Sequence, residues 1–325
     1  MSENDNLSFD SIKIFLDDLN FLSFLSKAEP YLGMNSNTLK NHLSGIIINN
    51  DFVFEMAVKK GDDFSFCVLQ KSKWESEVIG KPCASLRYFF GTSIGVCNEL
   101  ATNLMDNCGE DFFFIQHDSR FAPSHVEISL QEAGFYTGAH YYSWRGTSKN
   151  INKSALKFAD KFDIKIAKSS QADEIKSFAE HCEKSWIDNF FHFPGRFVAD
   201  PYIQKYGIKL YSTWAYNSVL NLSGSDEVLV CNIEGKLAGY VVLKYLSEKK
   251  VNLGILRINP EFKGKLVGVA LQSASVGVPM SKGYDTIVTR TAKFNVDNNK
   301  LLDNLGLEII NSGLQFHYIN KEYLT

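Results

Sequence analysis

The sequence lacks the features that most directly indicate a metal site, a disulfide framework or a membrane span. It contains six cysteines: Cys67, Cys83, Cys97, Cys108, Cys182 and Cys231. None forms a CxxC pair, and their scattered apolar surroundings predict free buried thiols and no metal. The longest apolar stretch, 267–280, is interrupted by polar residues and is shorter than the roughly 18 residues of a membrane helix. The acidic start MSENDNLSFDSIK is unlike a secretory leader, so we expect a cytoplasmic protein.

A basic excess is also missing. The formal net charge is -3, which gives no general attraction to nucleic acid or to an anionic membrane, and we expect neither as a partner. Two nucleotide-binding patterns are absent as well, the Walker motif GxxxxGK[ST] and an early GxGxxG. Any polyanionic ligand must therefore be held by a local site.

The composition that remains is that of a globular protein with large cores. The chain has 325 residues, 45% of them hydrophobic, with 25 Phe and 14 Tyr. At about 150 residues per domain this length predicts two domains. From Asp51 onward, short aromatic and β-branched runs such as FVFEMAV and FSFCVLQ alternate with amphipathic stretches. This alternation predicts a mixed α/β fold.

Changes of texture along the chain predict its domain boundaries. Residues 7–50 carry helical spacing, and we expect a short helical extension over residues 1–50. The polar, lysine-rich stretch 148–161 predicts a linker. We therefore expect one domain at 51–147 and a second at 162–325.

The two halves end on similar patterns. Leu130 precedes Gly134 by the same spacing with which Leu302 precedes Gly306, and an aromatic strand-like run follows each glycine. A glycine between a helix and a strand is common, so chance remains an explanation. The similar lengths of the halves make a tandem duplication the alternative.

The stretch INPEFKGKLVGVALQSA, from Ile258, predicts a strand, a loop and a helix. Backbone N–H groups and the helix dipole at such a junction suit a phosphate or pyrophosphate. Gly264 would permit a tight turn, and Gly268 would let a ligand approach the backbone. The candidate binding residues are Lys263, Gly264, Lys265, Leu266, Val267, Gly268 and Val269. The alternative is a solvated basic face beside an ordinary loop.

This loop resembles the acetyl-CoA loop [QR]xxGx[GA] of the GNAT N-acetyltransferase superfamily. Lys263 occupies the basic position and Gly268 the last one, but Leu266 replaces the middle glycine. Further on, NVDNNKLLDNLGL resembles the family pattern NxxAxxLYxxxGF, beginning at Asn295. The two motifs together are more specific than either alone.

One branch of the superfamily resembles more of the chain, roughly residues 65 to 320. WESEVIGKPCASLRYF, SLQEAGF and FHFPGRFVADPYIQKYGIKLYSTWAYNSV are similar to segments of the two-domain dTDP-fucosamine (dTDP-4-amino-4,6-dideoxygalactose) N-acetyltransferases. The resemblance implies a partial GNAT-like domain followed by a complete one. It also implies transfer from acetyl-CoA, or another acyl-CoA, to the amine of a nucleotide-linked amino sugar in surface-polysaccharide biosynthesis. A homodimer is a possible assembly.

The resemblance also implies roles for individual residues. The backbone of Leu256, Arg257 and Ile258 would align the pantetheine arm, and Asn295 would bind the cofactor or stabilise its loop. For the sugar nucleotide it implies Arg196, Tyr206 and Trp214, as a guanidinium pairs with diphosphate and aromatic faces stack on rings.

The general acid is the weak point of the resemblance. The family tyrosine that protonates the departing thiolate is replaced by Leu302, which cannot donate a proton. His317 and Tyr318 are the nearest substitutes, although an aromatic strand in the core would contain the same residues. Two other readings stay open: a GNAT that acts on a small amine or peptide amine, and a degenerate GNAT that binds CoA or a partner without turnover.

Overall fold

The structure is a computed structural model that describes residues 7–9, 37–41, 53–120, 123–188 and 196–324. Contacts divide the chain into two compact units. Unit 1 contains residues 1–139 and 313–325, and unit 2 contains residues 140–312. These limits differ from the predicted boundaries at 147 and 162. Of the predicted helical extension, residues 7–9 form a strand and 37–41 a helical turn, and its other residues lie outside the described part.

Unit 1 is built from strands that alternate with helices. Its elements are β1 (Leu7–Phe9), β2 (Phe54–Lys60), β3 (Asp63–Lys71), α1 (Lys73–Ile79), β4 (Cys83–Gly91), α2 (Ile94–Cys108), β5 (Phe114–Arg120) and α3 (Ser124–Glu132). The strands pair in the order β1, β2, β3, β4, β5, with antiparallel neighbours except for the parallel pair of β4 and β5. This parallel pair requires the crossover that α2 supplies.

Unit 2 repeats this plan with an added helical layer. After β6 (Tyr136–Thr147) come α4 (Lys153–Leu156), β7 (Asp163–Ile166), α5 (Ala172–Asp188), α6 (Arg196–Ala199), α7 (Gln204–Val219), β8 (Asp226–Ile233), β9 (Lys236–Ser247), β10 (Lys250–Ile258), α8 (Val267–Ser281), β11 (Thr286–Ala292), α9 (Val296–Asn304) and β12 (Glu308–Ile319). Strands β7, β8, β9 and β10 pair antiparallel, and β10 pairs parallel with β11.

The last strand in the pairing order of each unit comes from the other half of the sequence. In unit 2, residues 141–147 of β6 pair with β11, and in unit 1, residues 313–319 of β12 pair with β5. The predicted linker 148–161 belongs to unit 2, where it contains α4 and a 3-10 turn. The polarity of the sequence could not predict that β6 pairs in unit 2 and β12 in unit 1, because these pairings join residues far apart in sequence.

Each unit has its own apolar core. In unit 1, buried residues of α2, such as Leu100 and Leu104, pack with Phe316 of β12. In unit 2, α8 packs on Val241, Leu243 and Val251. All six cysteines are free and buried, as the sequence predicts. In the described part of the chain, no helix is long and apolar enough to cross a membrane.

The duplicated pattern around Gly134 and Gly306 is present in atomic detail. Both glycines follow a helix C-terminus with positive φ, 90° and 84°. In unit 1 the amide of Phe135 donates to the carbonyl of Leu130, and in unit 2 the amide of Leu307 donates to the carbonyl of Leu302. These bonds satisfy carbonyl groups that the helix end leaves without partners. The tandem arrangement predicted from the sequence is confirmed.

Candidate functional site

Strands β10 and β11 of unit 2 begin as a pair and then separate. Their parallel pairing runs from Lys250 and Thr286 to Leu253 and Thr289. Beyond these residues, β10 continues to Ile258 and β11 continues to Ala292, but the two strands no longer pair with each other. A bulge in β10 opposite β9 lies at the point of separation. The separation leaves an open strand edge along the end of β10.

The backbone groups on that edge follow from strand alternation. The amide of Asn259 donates to Ala238 of β9, so Asn259 faces β9. Because successive residues of a strand point their N–H and C=O groups to opposite sides, those of Leu256 and Ile258 face the open edge. This edge can accept an extended ligand by backbone hydrogen bonds, as another strand would.

The loop that follows β10 is built around two left-handed residues. Asn259 caps a 3-10 turn, its Oδ1 accepting from the amide of Glu261 at 3.0 Å. Gly264 has φ 80°, which glycine adopts without strain, and a Cβ there would meet nothing within 4 Å. Leu266 is the N-cap of α8 with φ 62° and is exposed. A leucine in this conformation is uncommon, because it costs more free energy there than asparagine or aspartate, and glycine has no such cost.

This loop presents a set of amides at a helix N-terminus. Among the described residues, the backbone N–H groups of Gly264, Leu266, Val267, Gly268 and Val269 donate to no protein group. The side chains of Lys263 and Lys265 are exposed beside them. Several unpartnered N–H groups and the positive end of a helix dipole favour an anion such as a phosphate or pyrophosphate.

Gly268 has a packing role that the sequence analysis did not predict. An added Cβ would lie 2.7 Å from Cδ1 of Ile258, the last residue of β10. The glycine therefore allows α8 to start close to its preceding strand. Close approach of a ligand at this position stays a prediction.

A buried charge lies next to the open edge. Arg257 of β10 is 7% exposed, and its Nε donates to Oε1 of Glu183 on α5, which is 0% exposed. The guanidinium lies over the ring of Tyr211, 5.0 Å from its centroid, and its Nη1 donates to the carbonyl of Leu256 at 2.8 Å. Since the Leu256 carbonyl faces the open edge, this bond places positive charge at that edge.

The surroundings of Arg257 keep its guanidinium ionised. Burial disfavours the charged guanidinium, but the Glu183 carboxylate and two nearby tyrosines outweigh burial and raise the pKa of Arg257 above its usual value. Burial raises the pKa of Tyr240, whose hydroxyl and the second Glu183 oxygen have no hydrogen-bond partner among the described residues. Burial also raises the pKa of Cys182 to about 12, so this thiol stays protonated.

Asn295 and Leu302 both have structural roles in unit 2. The Asn295 side chain caps α9, its Oδ1 accepting from the amide of Asn298 at 3.3 Å. Leu302 is fully buried in the unit 2 core. The position that carries the tyrosine in the resembling family is thus a core position here, without a proton donor.

The two substitute acids are packed in unit 1. The His317 ring is fully buried and makes edge contacts with Phe114 and Tyr136. Tyr318 packs on Phe135, with ring centroids 5.6 Å apart. Burial, together with Glu110 and Glu322, raises the pKa of Tyr318. The cofactor-loop residues belong to unit 2, so the structure does not bring the predicted acids and the loop into one unit.

The residues predicted to bind the sugar nucleotide lie on two helices of unit 2. Tyr206 and Trp214 are both on α7 and are half-buried, about two turns apart. Lys205 lies over the Tyr206 ring at 4.9 Å. Arg196 begins α6, and its side chain is outside the described part.

Sequence reasoning missed Glu183 and Tyr240. Glu183 lies in the polar helix segment EHCEKSW, where a glutamate usually faces solvent. Tyr240 lies in the apolar strand run LAGYVVL and reads as core. Neither position carries a local signal, because each is defined by its contact with an arginine distant in sequence.

Comparison by sequence gives no relatives. No family model matches the chain, and no curated protein matches it. Solved structures, in contrast, match over almost its whole length. A tandem GNAT protein from the clavulanic acid biosynthesis pathway covers 97% of this chain and 98% of its own, with TM-score 0.50 and 13% identity. The chain has a tandem GNAT fold.

Two further structures share this fold. A GCN5-related N-acetyltransferase from Sphaerobacter thermophilus matches 98% of this chain and 96% of its own, with TM-score 0.56 and 9% identity. A fungal multi-domain GH3 β-N-acetylglucosaminidase, described as having a GCN5-related glucosamine N-acetyltransferase region, matches 98% of this chain with TM-score 0.60 and 10% identity. This chain covers 38% of the fungal protein.

Proposed function

We propose that the protein is an acyl-CoA-dependent N-acyltransferase whose donor site lies in unit 2. The observation that carries the proposal is the junction of an open β10 edge with an open helix N-terminus. The edge offers the backbone of Leu256 and Ile258 to a pantetheine arm, and the amides of Gly264 and of residues 266–269 offer donors to a pyrophosphate. Lys263 and Lys265 add positive charge there. The residues present therefore fit CoA, which supplies an activated acyl thioester when bound.

For the acceptor we propose the amine of a nucleotide-linked amino sugar. Support comes from the resemblance of α6 and α7 to the dTDP-fucosamine N-acetyltransferases and from the half-buried aromatic side chains of Tyr206 and Trp214. A panel of dTDP- and UDP-linked amino sugars, small amines and peptide amines, followed by thiol release, tests this assignment. Turnover with a small amine alone would overturn the sugar assignment.

A degenerate, CoA-binding protein is the second candidate. It is favoured by Leu302, because this buried core leucine provides no proton donor at the position of the family tyrosine. Binding of acetyl-CoA without thiol release from any amine in the panel would support this candidate over the enzyme.

The donor site is tested at Leu266. Asparagine and aspartate both adopt the left-handed conformation more readily than leucine, so L266N and L266D are expected to fold with unchanged or higher Tm. They differ only in the carboxylate that L266D places at the α8 N-terminus, where it repels a pyrophosphate. By isothermal titration we expect L266N to bind acetyl-CoA within about threefold of wild type and L266D at least about tenfold more weakly.

The outcome of this titration separates the alternatives. Equal affinity of L266D and L266N would place the pyrophosphate elsewhere. No measurable binding of acetyl-CoA by the unmodified chain would overturn the proposed function.

A further inference from the structure

The cross-strand pair of unit 2 that contains the buried Arg257 has an apolar counterpart in unit 1. The two units can be aligned by their strand registers, because each has a register shift next to the end of its parallel strand pair. In unit 2, Arg257 pairs with Tyr240 across β10 and β9, and in unit 1, Phe90 pairs with Phe66 across β4 and β3. Both phenylalanines are buried, with ring centroids 6.5 Å apart. The fold therefore accepts apolar residues at both strand positions, so the charge of Arg257 and the Glu183 carboxylate that pairs with it need another explanation.

Stability does not provide that explanation. Burying two charges costs several kcal/mol per ion, and replacing such a pair by apolar residues is often neutral or stabilising. In unit 2 the cost is increased by the second oxygen of Glu183 and the hydroxyl of Tyr240, which are buried without partners in the described part of the chain. Unpartnered buried polar groups of this kind are uncommon in folded proteins.

The position of the charge suggests its purpose. The guanidinium reaches the edge of β10 that β11 leaves open, through the bond from Nη1 to the Leu256 carbonyl. Glu183 and the ring of Tyr211 fix its orientation. A charged donor held at one place in a poorly hydrated site stabilises developing negative charge without reorganising.

We propose that Arg257 stabilises the negative charge that develops on the acyl oxygen during transfer, and that Glu183 positions it. In this step the amine lone pair forms the N–C bond while the carbonyl π pair moves to oxygen. The pair returns as the C–S bond breaks, and the bonding electrons leave with sulfur. The proton lost by nitrogen passes to the thiolate or to solvent.

This inference rests on the proposed function and extends it to a specific side chain. It also bears on the missing proton donor at Leu302. With no acid at that position, lowering the barrier by charge at the acyl oxygen becomes a larger share of catalysis. A single positioned donor of this kind contributes about 10²- to 10³-fold in rate.

The test removes the charge of Arg257 together with that of Glu183, so that neither ion is left buried without its partner. Arg257→Gln alone strands Glu183 and risks misfolding, so the main variant is Glu183→Leu with Arg257→Met, which replaces both ions by apolar side chains of similar size. Phe90→Leu, at the equivalent position in unit 1, is the matched control. Each protein is mixed with acetyl-CoA labelled with ¹³C at the carbonyl, and the infrared stretching frequency of the bound thioester is measured.

Charge near the oxygen polarises the carbonyl and lowers its stretching frequency. We expect a lowered frequency in wild type and in F90L, and a return toward the value in water in the double variant. Acetyl-CoA affinity by titration should stay within about threefold, while turnover with an accepted amine falls about 10²- to 10³-fold.

Two results would overturn the inference, and they are distinct from failure of the proposed function. Identical bound frequencies in wild type and the double variant, with acetyl-CoA bound to both, would show that Arg257 does not act on the acyl oxygen. Unchanged turnover in the double variant would show the same. Absence of acetyl-CoA binding in wild type would instead overturn the proposed function itself.

Discussion

Units 1 and 2 share a strand plan but differ at the N-terminus of the crossover helix. In unit 2 the chain runs from Asn259 to Leu266 between β10 and α8, and the amides of Gly264 and Leu266 in this loop donate to no described protein group. In unit 1 only Thr92 and Ser93 separate β4 from α2. Their hydroxyls donate to the two carboxylate oxygens of Asp63, at 2.7 and 2.8 Å.

The chain thus supplies its own anion beside the N-terminus of α2 in unit 1. A carboxylate there stabilises the helix by the same interaction that would bind a phosphate, and it would repel one. The two copies teach that the strand plan supplies a potential anion site at each crossover helix. The length of the connecting loop and one aspartate distinguish the two sites, because in unit 1 the aspartate opposes a second anion.

The largest predicted effect tests the contrast between the charged Arg257 of unit 2 and its apolar counterpart Phe90 in unit 1. Glu183→Leu alone leaves Arg257 buried without its partner, so we expect a loss of about 3 to 5 kcal/mol in the free energy of unfolding. Adding Arg257→Met should restore stability to wild type or above. Urea unfolding of the single and double variants measures both effects. Equal stabilities of the two would show that the charges are not energetically coupled.

The second prediction compares the glycines that follow the helix ends in the two units, and the expected losses in the free energy of unfolding are smaller. Gly306→Ala adds a Cβ that would overlap the backbone carbonyl oxygen of Asn150, in addition to the strain of φ 84°. Gly134→Ala carries similar strain at φ 90°, but its nearest neighbour is Cε2 of Tyr318 at 3.6 Å. We expect G134A to cost about 1 to 2 kcal/mol and G306A about 3 kcal/mol or more.

Urea unfolding of these variants gives the difference. The control is Gly224→Ala in unit 2, where φ is 70° and nothing lies within 4 Å of the added Cβ. It should behave like G134A, since both carry strain without a clash. A loss in G306A no larger than in G224A would show that the loop at Asn150 moves away at little cost.

Local patterns in the sequence were sufficient to predict much of this fold. The repeated leucine and glycine spacing predicted both helix ends, and the stretch after Ile258 predicted a strand, a loop and a helix in the right order. These features depend on residues within a few positions of each other, where periodicity and glycine conformations are informative.

Long-range features could not be predicted in the same way. The exchange of β6 and β12 joins distant parts of the chain, and the bond between Arg257 and Glu183 spans 74 positions. From the sequence, only the backbone of Arg257 was predicted to contact the cofactor. A role for its side chain follows only from the fold, in which α5 places the Glu183 carboxylate against the guanidinium.

The smallest predicted effect concerns the residues that close the parallel pairing in each unit. Where the strands separate, His117 Nδ1 bonds to the Leu86 carbonyl at 2.8 Å in unit 1, and Thr289 Oγ1 donates to the Leu253 carbonyl at 2.9 Å in unit 2. Each side chain hydrogen-bonds the backbone carbonyl of the residue opposite it, but only the histidine can gain a proton in the pH range of interest. Burial lowers the pKa of His117 below its ordinary 6.5, against smaller opposing effects of its bond to Leu86 and of Asp118.

This difference predicts a pH dependence that belongs to unit 1. Below pH 6.5 the unfolded chain takes up a proton on His117 that the folded chain excludes, so stability is complete above that pH and falls as pH drops below it. The slope is at most about 1.4 kcal/mol per pH unit. In His117→Gln an uncharged amide can donate to the Leu86 carbonyl, and this contribution should vanish. Urea midpoints at pH 7.5 and 5.5 should therefore differ less in H117Q than in wild type, and equal differences would contradict the assignment.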